Sequence, residues 1–459
     1  MSSDNDGKTP ARQADGHEND QQIGLVDKDG GFIPTGNTNA MPEGIEQGKK
    51  NGGGRRFVVR TLVPLLVLAA LLGGGYLWWT RLRPVQVTVN GTLQSVTVRT
   101  TIDQLKSDAD IQTAPGNYVS VSGNIIAEGE GYPYSVSING KDTDYDEAHS
   151  YKVAGGERIT LGDGQDRMEP HTIETVNQPP KLLMDGNVGA INYISQWGST
   201  TVKDVIVGQE SGEQVDGTVY EQGQDCVVTV KDVQPSGNKK LVALTFDDGP
   251  SEYTPQYLQI LKDKGVKATF FCLGKNVDAH PDAAKAIVDA GCQICSHSYD
   301  HPDLRYAEPQ TVLDQLTSSF SSIETATGEK TTAFRPPYGS FTQRTWLATQ
   351  GVATVAVRWD IDTEDWKQPG ADRIVSAACS NVHSGSIILM HDGGGPRDQD
   401  VEALPKIIDT LQSQSYTFVT ISELLASDDS IPDDVASCNS TMPESAVWPD
   451  EIGKANWLR

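Results

Sequence analysis

The chain has 459 residues, more than one ordinary domain accommodates. Hydrophobic residues make up 37%, enough for packed cores but too few for a polytopic membrane protein. A net charge of −25 argues against nucleic-acid binding, which needs clustered cations. Residues 1–56 are rich in Asp, Asn, Gly, Gln and Lys with almost no apolar clustering. Such a segment buries too little surface to offset its chain entropy, and disorder is expected. Thr61 to Trp79 is an uncharged, mostly apolar run close to the ~20 residues that cross a bilayer, so residues 57–83 read as an anchor. Tyr76, Trp78 and Trp79 suit an interfacial aromatic belt. Lys49, Lys50, Arg55, Arg56 and Arg60 precede the run, against Arg81 and Arg83 after it. This bias places the N-terminus in the cytoplasm and everything after Pro84 outside. A cleaved signal peptide is the rival reading, weakened by the long leader and the unclear cleavage site.

From Pro84 to Asn238 the texture becomes β-rich. Val85, Val87 and Val89 alternate with polar residues, Asn90-Gly91 supplies a turn, and Val96-Thr97-Val98 returns, a hairpin signature. Thr101 to Asp110 reads as a short helix with Ile102 and Leu105 on one face. A second run, Tyr134 to Ile138, ends in Asn139-Gly140. The expectation is one or two small β-rich modules over 84–238, with a hairpin–helix β-grasp element. They would act as a stalk or wall-binding spacer, joined to the C-terminal half by the linker Gln234-Pro235-Ser236-Gly237-Asn238.

From Lys239 to Ser427 strands alternate with helices. Leu241-Val242-Ala243-Leu244 opens as a buried strand, and Tyr253 to Lys264 carries a helical stripe. Further strands are read at Lys267–Cys272, Gln293–Cys295, Ala333-Phe334, Val352–Val357, Ser386–Met390 and Thr417–Val419. Helices are read at Pro281–Ala290, Thr311–Thr325 and Pro405–Gln412. Repeated βα units predict a parallel sheet, closed or nearly so. The tail 428–459 is acidic and contains proline, and is expected to be loosely held.

Five polar clusters follow apolar runs in this region. They are Thr245-Phe246-Asp247-Asp248-Gly249-Pro250, His297-Ser298-Tyr299-Asp300-His301, Arg335-Pro336-Pro337-Tyr338-Gly339, Asp362-Thr363-Glu364-Asp365-Trp366 and His391-Asp392. In a parallel β/α barrel the C-terminal strand ends gather on one rim, where the clusters would converge. Adjacent residues on a strand point to opposite sides, so Asp247 and Asp248 can divide metal binding and proton transfer between them. His297 and His301, spaced i, i+4, would present two imidazoles from one helical turn, and a carboxylate completes a facial metal site with open positions. None of the six cysteines forms a paired Cys-x-x-Cys zinc pattern; Cys292 and Cys295 read as core thiols or half-cystines.

Taken in order, these five motifs resemble the polysaccharide deacetylase family, carbohydrate esterase family 4, also called the NodB homology domain. The resemblance covers residues 239–427 and includes Leu389-Met390-His391 as the last motif. It implies a distorted (β/α) barrel, α/β in class, holding one divalent metal, usually zinc, with Co²⁺, Ni²⁺ or Mn²⁺ as substitutes. The implied ligands are Asp248, His297 and His301. Asp247 would be the general base, oriented by Arg335, and His391 the general acid, tuned by Asp365. The backbone N–H of Tyr338 would help bind the oxyanion, while Trp366 and Leu389 would line an acetyl-methyl pocket. Met390 stands where an aliphatic residue is common, and Cys292 and Cys295 replace residues that are usually not cysteine.

The implied activity is removal of N-acetyl groups from a glycan. An outward-facing, single-pass anchor points to the cell's own wall, hence to peptidoglycan N-acetylglucosamine and a free amine as product. Chitin oligosaccharides or O-acetyl xylan are the alternative substrates. A non-haem iron oxygenase shares the ligand type but leaves the arginine, tryptophan and His391 clusters unexplained. An inactive glycan-binding module would have lost a ligand or Asp247, and none is lost.

Overall fold

The computed structural model describes residues 55–453, so the disorder expected for the N-terminal segment lies almost wholly outside the described residues. Two units are distinct, divided between Arg83 and Pro84. The first carries a helix, Arg55–Leu77, continued by one wider turn, Trp78–Leu82. Its window Val63–Leu82, 20 residues of mean hydropathy 1.6 with none buried, is long and apolar enough to cross a membrane. The guanidinium of Arg83 stacks 4.4 Å over the Trp79 ring.

In the second unit the catalytic-motif region forms eight parallel strands: β1 (Leu241–Asp247), β2 (Thr269–Cys272), β3 (Gln293–Ser296), β4 (Ala333–Phe334), β5 (Val355–Val357), β6 (Ile361–Asp362), β7 (Ile387–His391) and β8 (Thr417–Val419). Seven of them run in the order β6-β7-β1-β2-β3-β4-β5, and β8 pairs with the start of β1. Alternation sorts the side chains. Val242, Leu244 and Phe246 of β1 face outward into a core shared with the helices Thr254–Lys264, Pro281–Asp289 and Asp398–Ser413. Ala243 of β1 instead packs inward with Phe271, Cys295, Ala333, Val355, Val357 and Ile387. Residues further along these inward rows, at even spacing, are Asp247, His297 and Arg335, which brings ionisable groups to the C-terminal ends of the strands.

Among the described residues no ladder joins β5 to β6, so the ring of strands is hydrogen-bonded on all but one side. The free edge of β5 is taken by Ile191–Gln196, paired antiparallel with Ile191 opposite Val357. The same sheet continues through Cys226–Lys231, Lys181–Asp185 and Glu451-Ile452. The expected spacer is therefore corrected: part of it extends the catalytic sheet. The supposed linker is tied down as well, with Gln234 N donating to Asp428 Oδ2 at 2.9 Å and Ser236 N to Ser427 O at 2.7 Å.

The expectation of a loosely held tail is also corrected. Ile431, Val435, Ala436 and Cys438 are buried with the inward row of the strands, where they close the end of the core opposite the motifs. Trp448 lies against Trp197 and donates Nε1–H to Leu347 O at 2.8 Å. Apolar residues at helical spacing hold this segment down; its acidic composition hid them.

The β-grasp element is present as a five-stranded sheet. Pro84–Val89 and Thr92–Thr97 form a hairpin about Asn90-Gly91, both at positive φ. Arg158–Gly162 runs parallel to Pro84–Val89, followed outward by Ser135–Ile138 and Lys141–Thr143. The helix Ile102–Asp108 starts in a Thr101–Gln104 capping box and buries Ile102 and Leu105 completely. All six cysteines are free thiols.

Candidate active site

Asp247 ends β1 almost fully buried. Asp248 then adopts φ 69°, a left-handed conformation uncommon for a side chain larger than glycine. That turn changes the expected geometry. Instead of pointing apart, the two carboxylates face one imidazole, His297 Nε2, which lies 3.6 Å from Asp247 Oδ2 and 3.7 Å from Asp248 Oδ1. Gly394 packs against this turn, since a Cβ there would stand 2.5 Å from Asp248 Oδ2.

His297 and His301 do not share a helical turn. They sit on a loop after β3, with Ser298 at φ 67° and His301 at φ 71°. The reversals still bring their rings to 5.0 Å, and His301 Nε2 to 3.6 Å from Asp248 Oδ1. His297 Nδ1 is 2.8 Å from the Arg335 carbonyl, which can only accept, so Nδ1 carries the hydrogen and Nε2 presents a lone pair. Burial pulls the His297 pKa down to about 3, the neutral form a metal requires.

Three observations fit a divalent ion. Asp248 Oδ1 is buried and accepts no hydrogen bond, an orphan that an ion would satisfy. The three ligand atoms lie within 4.8 Å of one another. Spacings of 3.6 and 3.7 Å are too long for hydrogen bonds, yet near the ~3.4 Å separating two ligands bound about 2.1 Å from one tetrahedral ion. A His₂-carboxylate set suits zinc and its borderline neighbours.

Arg335 follows β4 and is entirely buried. Its Nη1 donates to Asp247 Oδ1 at 2.6 Å and to Thr245 Oγ1 at 2.8 Å. Its Nη2 reaches the Arg358 carbonyl at 3.1 Å, and the guanidinium stacks 4.1 Å over Phe271. Burial pushes the Asp247 carboxyl up, while the charges of Arg335 and His391 pull it back. With Oδ1 taken by Arg335, Oδ2 is the oxygen turned toward His297.

Across the rim, His391 ends β7 beside Asp247 of β1. Its Nδ1 is 2.7 Å from Asp365 Oδ1, and its backbone N–H donates to Asp365 Oδ2, also at 2.7 Å. Burial alone would lower the His391 pKa; the hydrogen bond and charge of fully buried Asp365 overcome it and raise the value to about 9. Trp366, half exposed, donates its backbone N–H to Asp365 Oδ1, and Leu389 lies buried two residues before His391. Tyr338 stands on the opposite side at φ 61°, its exposed ring edge-on to His301 at 4.6 Å.

The arrangement brings together Asp247, Asp248, His297, His301, Arg335, Asp365 and His391: a metal-ready triad, a buried carboxylate held by arginine, and an imidazole held by a second carboxylate. Sequence reasoning missed the supports. Asn276 donates to the Asp248 carbonyl at 2.8 Å, and Tyr257 to the His391 carbonyl at 2.9 Å. Buried Asp392 accepts from Thr254, and buried Arg397 donates Nε–H to Gly393 O at 2.8 Å. Only Asp392 bore a signal, its position directly after His391.

Comparison with known proteins bears on the same region. A family model described as polysaccharide deacetylase matches residues 234–355, which include Asp247, Asp248, His297, His301 and Arg335. The peptidoglycan-N-acetylglucosamine deacetylase PgdA of Listeria monocytogenes is 33% identical over 256 residues, 52% of this chain and 54% of the relative. The chain thus spans about half the length of that relative. A peptidoglycan-N-acetylglucosamine deacetylase of Bacillus cereus is 36% identical over 206 residues, 42% of this chain and 96% of the relative. A chitooligosaccharide deacetylase of Bradyrhizobium is 35% identical over 196 residues, 40% of this chain and 90% of the relative.

Proposed function

Because the chain belongs to the polysaccharide deacetylase family, we propose that it is a metal-dependent hydrolase that removes N-acetyl groups from peptidoglycan, at N-acetylglucosamine, on the outer face of the membrane. One observation carries the chemistry: the orphaned Asp248 oxygen and the two imidazoles share one rim with a buried carboxylate held by Arg335 and an imidazole held by Asp365. Asp248, His297 and His301 would hold the ion, for which zinc is the first choice. A bound divalent ion supplies an activated water near neutral pH and polarises the acetyl carbonyl.

The protein's own residues do the rest. Asp247 Oδ2 takes the proton of the attacking water, because Oδ1 is engaged by Arg335 and cannot turn away. His391, protonated and anchored at Nδ1 by Asp365, presents Nε2–H to the sugar nitrogen. Without that proton an amine leaves poorly. The Tyr338 N–H shares the charge developing on the acetyl oxygen. Trp366 and Leu389 confine the methyl, so longer acyl groups react poorly.

The substrate reading rests on the apolar helix and on the relatives' named activity. An enzyme tethered by one helix acts on the polymer next to the membrane, and the basic residues before Val63 favour its outward orientation. Mass spectrometry of muropeptides tests the substrate, comparing cells with the native chain and with Asp247→Asn. Fewer free amino sugars in the variant are expected. An unchanged count, with good turnover of soluble chitin oligomers, would instead assign a secreted glycan. Protease added to intact cells should remove the catalytic region and spare residues 1–56; the reverse pattern would invert the topology.

A further inference from the structure

The β-grasp sheet carries a cavity that the scheme above leaves without a task. Its volume is about 430 Å³, within the ~300–1,000 Å³ of small-molecule sites. The strands Ser135–Ile138 and Lys141–Thr143 and the helix Tyr145–Ser150 contribute to it, and no lining residue belongs to the barrel. Three tyrosines line it as one cluster. The rings of Tyr132 and Tyr145 have centroids 5.0 Å apart and planes 34° from parallel, and Tyr134 meets Tyr145 edge-on at 5.2 Å. The cluster is braced. The Tyr134 hydroxyl donates to Asp103 Oδ1, the other Asp103 oxygen lies 2.9 Å from His149 Nδ1, and the His149 ring stacks on Tyr145 at 5.8 Å. Tyr134 is buried by this packing, whereas Tyr132 and Tyr145 keep part of their surface exposed.

Most of the remaining lining is polar. The side chains of Ser137, Asp142, Thr160 and Gln165 enter no hydrogen bond among the described residues and are open to a ligand. Asp144 uses one oxygen on its own helix, accepting from Asp146 N at 2.9 Å, and keeps the other. No lysine or arginine lines the cavity; Lys106 Nζ stands 5.8 Å from the Tyr134 ring centroid without lining it.

A pyranose has an apolar face of C–H bonds and a rim of hydroxyls. Aromatic rings receive the first, and side-chain oxygens and amides the second. Two carboxylates without a lining cation disfavour an anionic ligand and favour a positive one. We infer that this cavity binds an amino-sugar oligosaccharide with free amines, one sugar ring against Tyr132 and Tyr145 and its ammonium paired with Asp142. That such a sugar is the enzyme's own product rests on the deacetylase reading above; the chemistry of the cavity does not. A second site on the same chain raises the effective concentration of the polymer at the first, so the enzyme stays on strands that already carry free amines.

The test uses the full chain in detergent, carrying Asp247→Asn so that no ligand is turned over. Calorimetry measures binding of the glucosamine tetramer and of the N-acetylglucosamine tetramer. Tyr132→Ala should weaken the glucosamine tetramer about tenfold. Asp142→Asn should weaken it about threefold and flatten its salt dependence. Neither substitution should change binding of the N-acetylated tetramer. Equal losses for both tetramers would overturn the pairing with the amine, and no loss for either would overturn the site. Hydrogen exchange gives a readout that needs neither substitution in the cavity. The glucosamine tetramer should slow amide exchange within residues 132–145, and unchanged exchange overturns the proposal. Protection there in a native chain that deacetylates no glycan would place the failure in the functional reading instead.

Discussion

Arg335 Nη1 and Asp247 Oδ1 stand 2.6 Å apart, in a pair from which water is excluded on both sides. A buried pair of this kind contributes little net stability while intact, but is costly to break. Arg335→Met should lower unfolding free energy by about 3–5 kcal/mol, because it leaves Asp247 buried and uncompensated. It should also move the acid limb of kcat/KM to higher pH, since losing the cation raises the carboxyl pKa further. Urea titration and a pH–rate profile of the same preparation check both effects.

Asp247→Asn separates base from ligand. It should reduce kcat by roughly 10²-fold or more while elemental analysis still finds about one ion per chain. Asp248→Ala, His297→Ala and His301→Ala should each lose the ion. A chelator should stop the native protein reversibly, with zinc restoring it. Full turnover by metal-free protein would sink the assignment.

The pH dependence of His391 has a definite sign. Its protonated form is the one required, so activity is full below its pKa and is lost as pH rises through it. With that pKa raised to about 9, and drawn lower by a bound cation, the basic limb should fall at or below that value. Asp365→Asn should bring the limb down by about 1–3 units. His391→Ala should abolish it and keep the metal.

The C-terminal segment is a structural part of the barrel. Ile431→Ala should destabilise the protein by about 2–4 kcal/mol in urea unfolding, whereas a loosely held tail would show no change. Stopping the chain after Ser427 should produce insoluble protein.

The sequence exposes the parts whose signals are local. The apolar runs of β1, β2 and β7 and the polar residues that end them mark out the rim, and the period of two carries inward positions to Asp247, Arg335 and His391. Backbone reversals were not legible. Asp248, Ser298 and His301 adopt positive φ without being glycine, so the side by side placement of Asp247 and Asp248 and the meeting of the two histidines on a loop escape any helical or strand period. Long-range pairing left no trace either, because Ile191–Gln196 reads the same whether it pairs within a small module or with β5.

The pairing of Ile191–Gln196 with β5 bears on how the enzyme can be dissected. A fragment opening at Lys239, where the motifs begin, would strip Ile191, Asn192 and Tyr193 from Val357, Ala356 and Val355. Its unpaired backbone amides and carbonyls, beside newly bared Val355 and Val357, would invite strands from other molecules. Cutting ahead of Pro84 keeps that seam sealed and removes only the apolar helix and the residues before it. A soluble fragment therefore has to keep Ile191–Gln196, which a start at Pro84 does, and that strand acts as a built-in chaperone for the edge that the barrel leaves open.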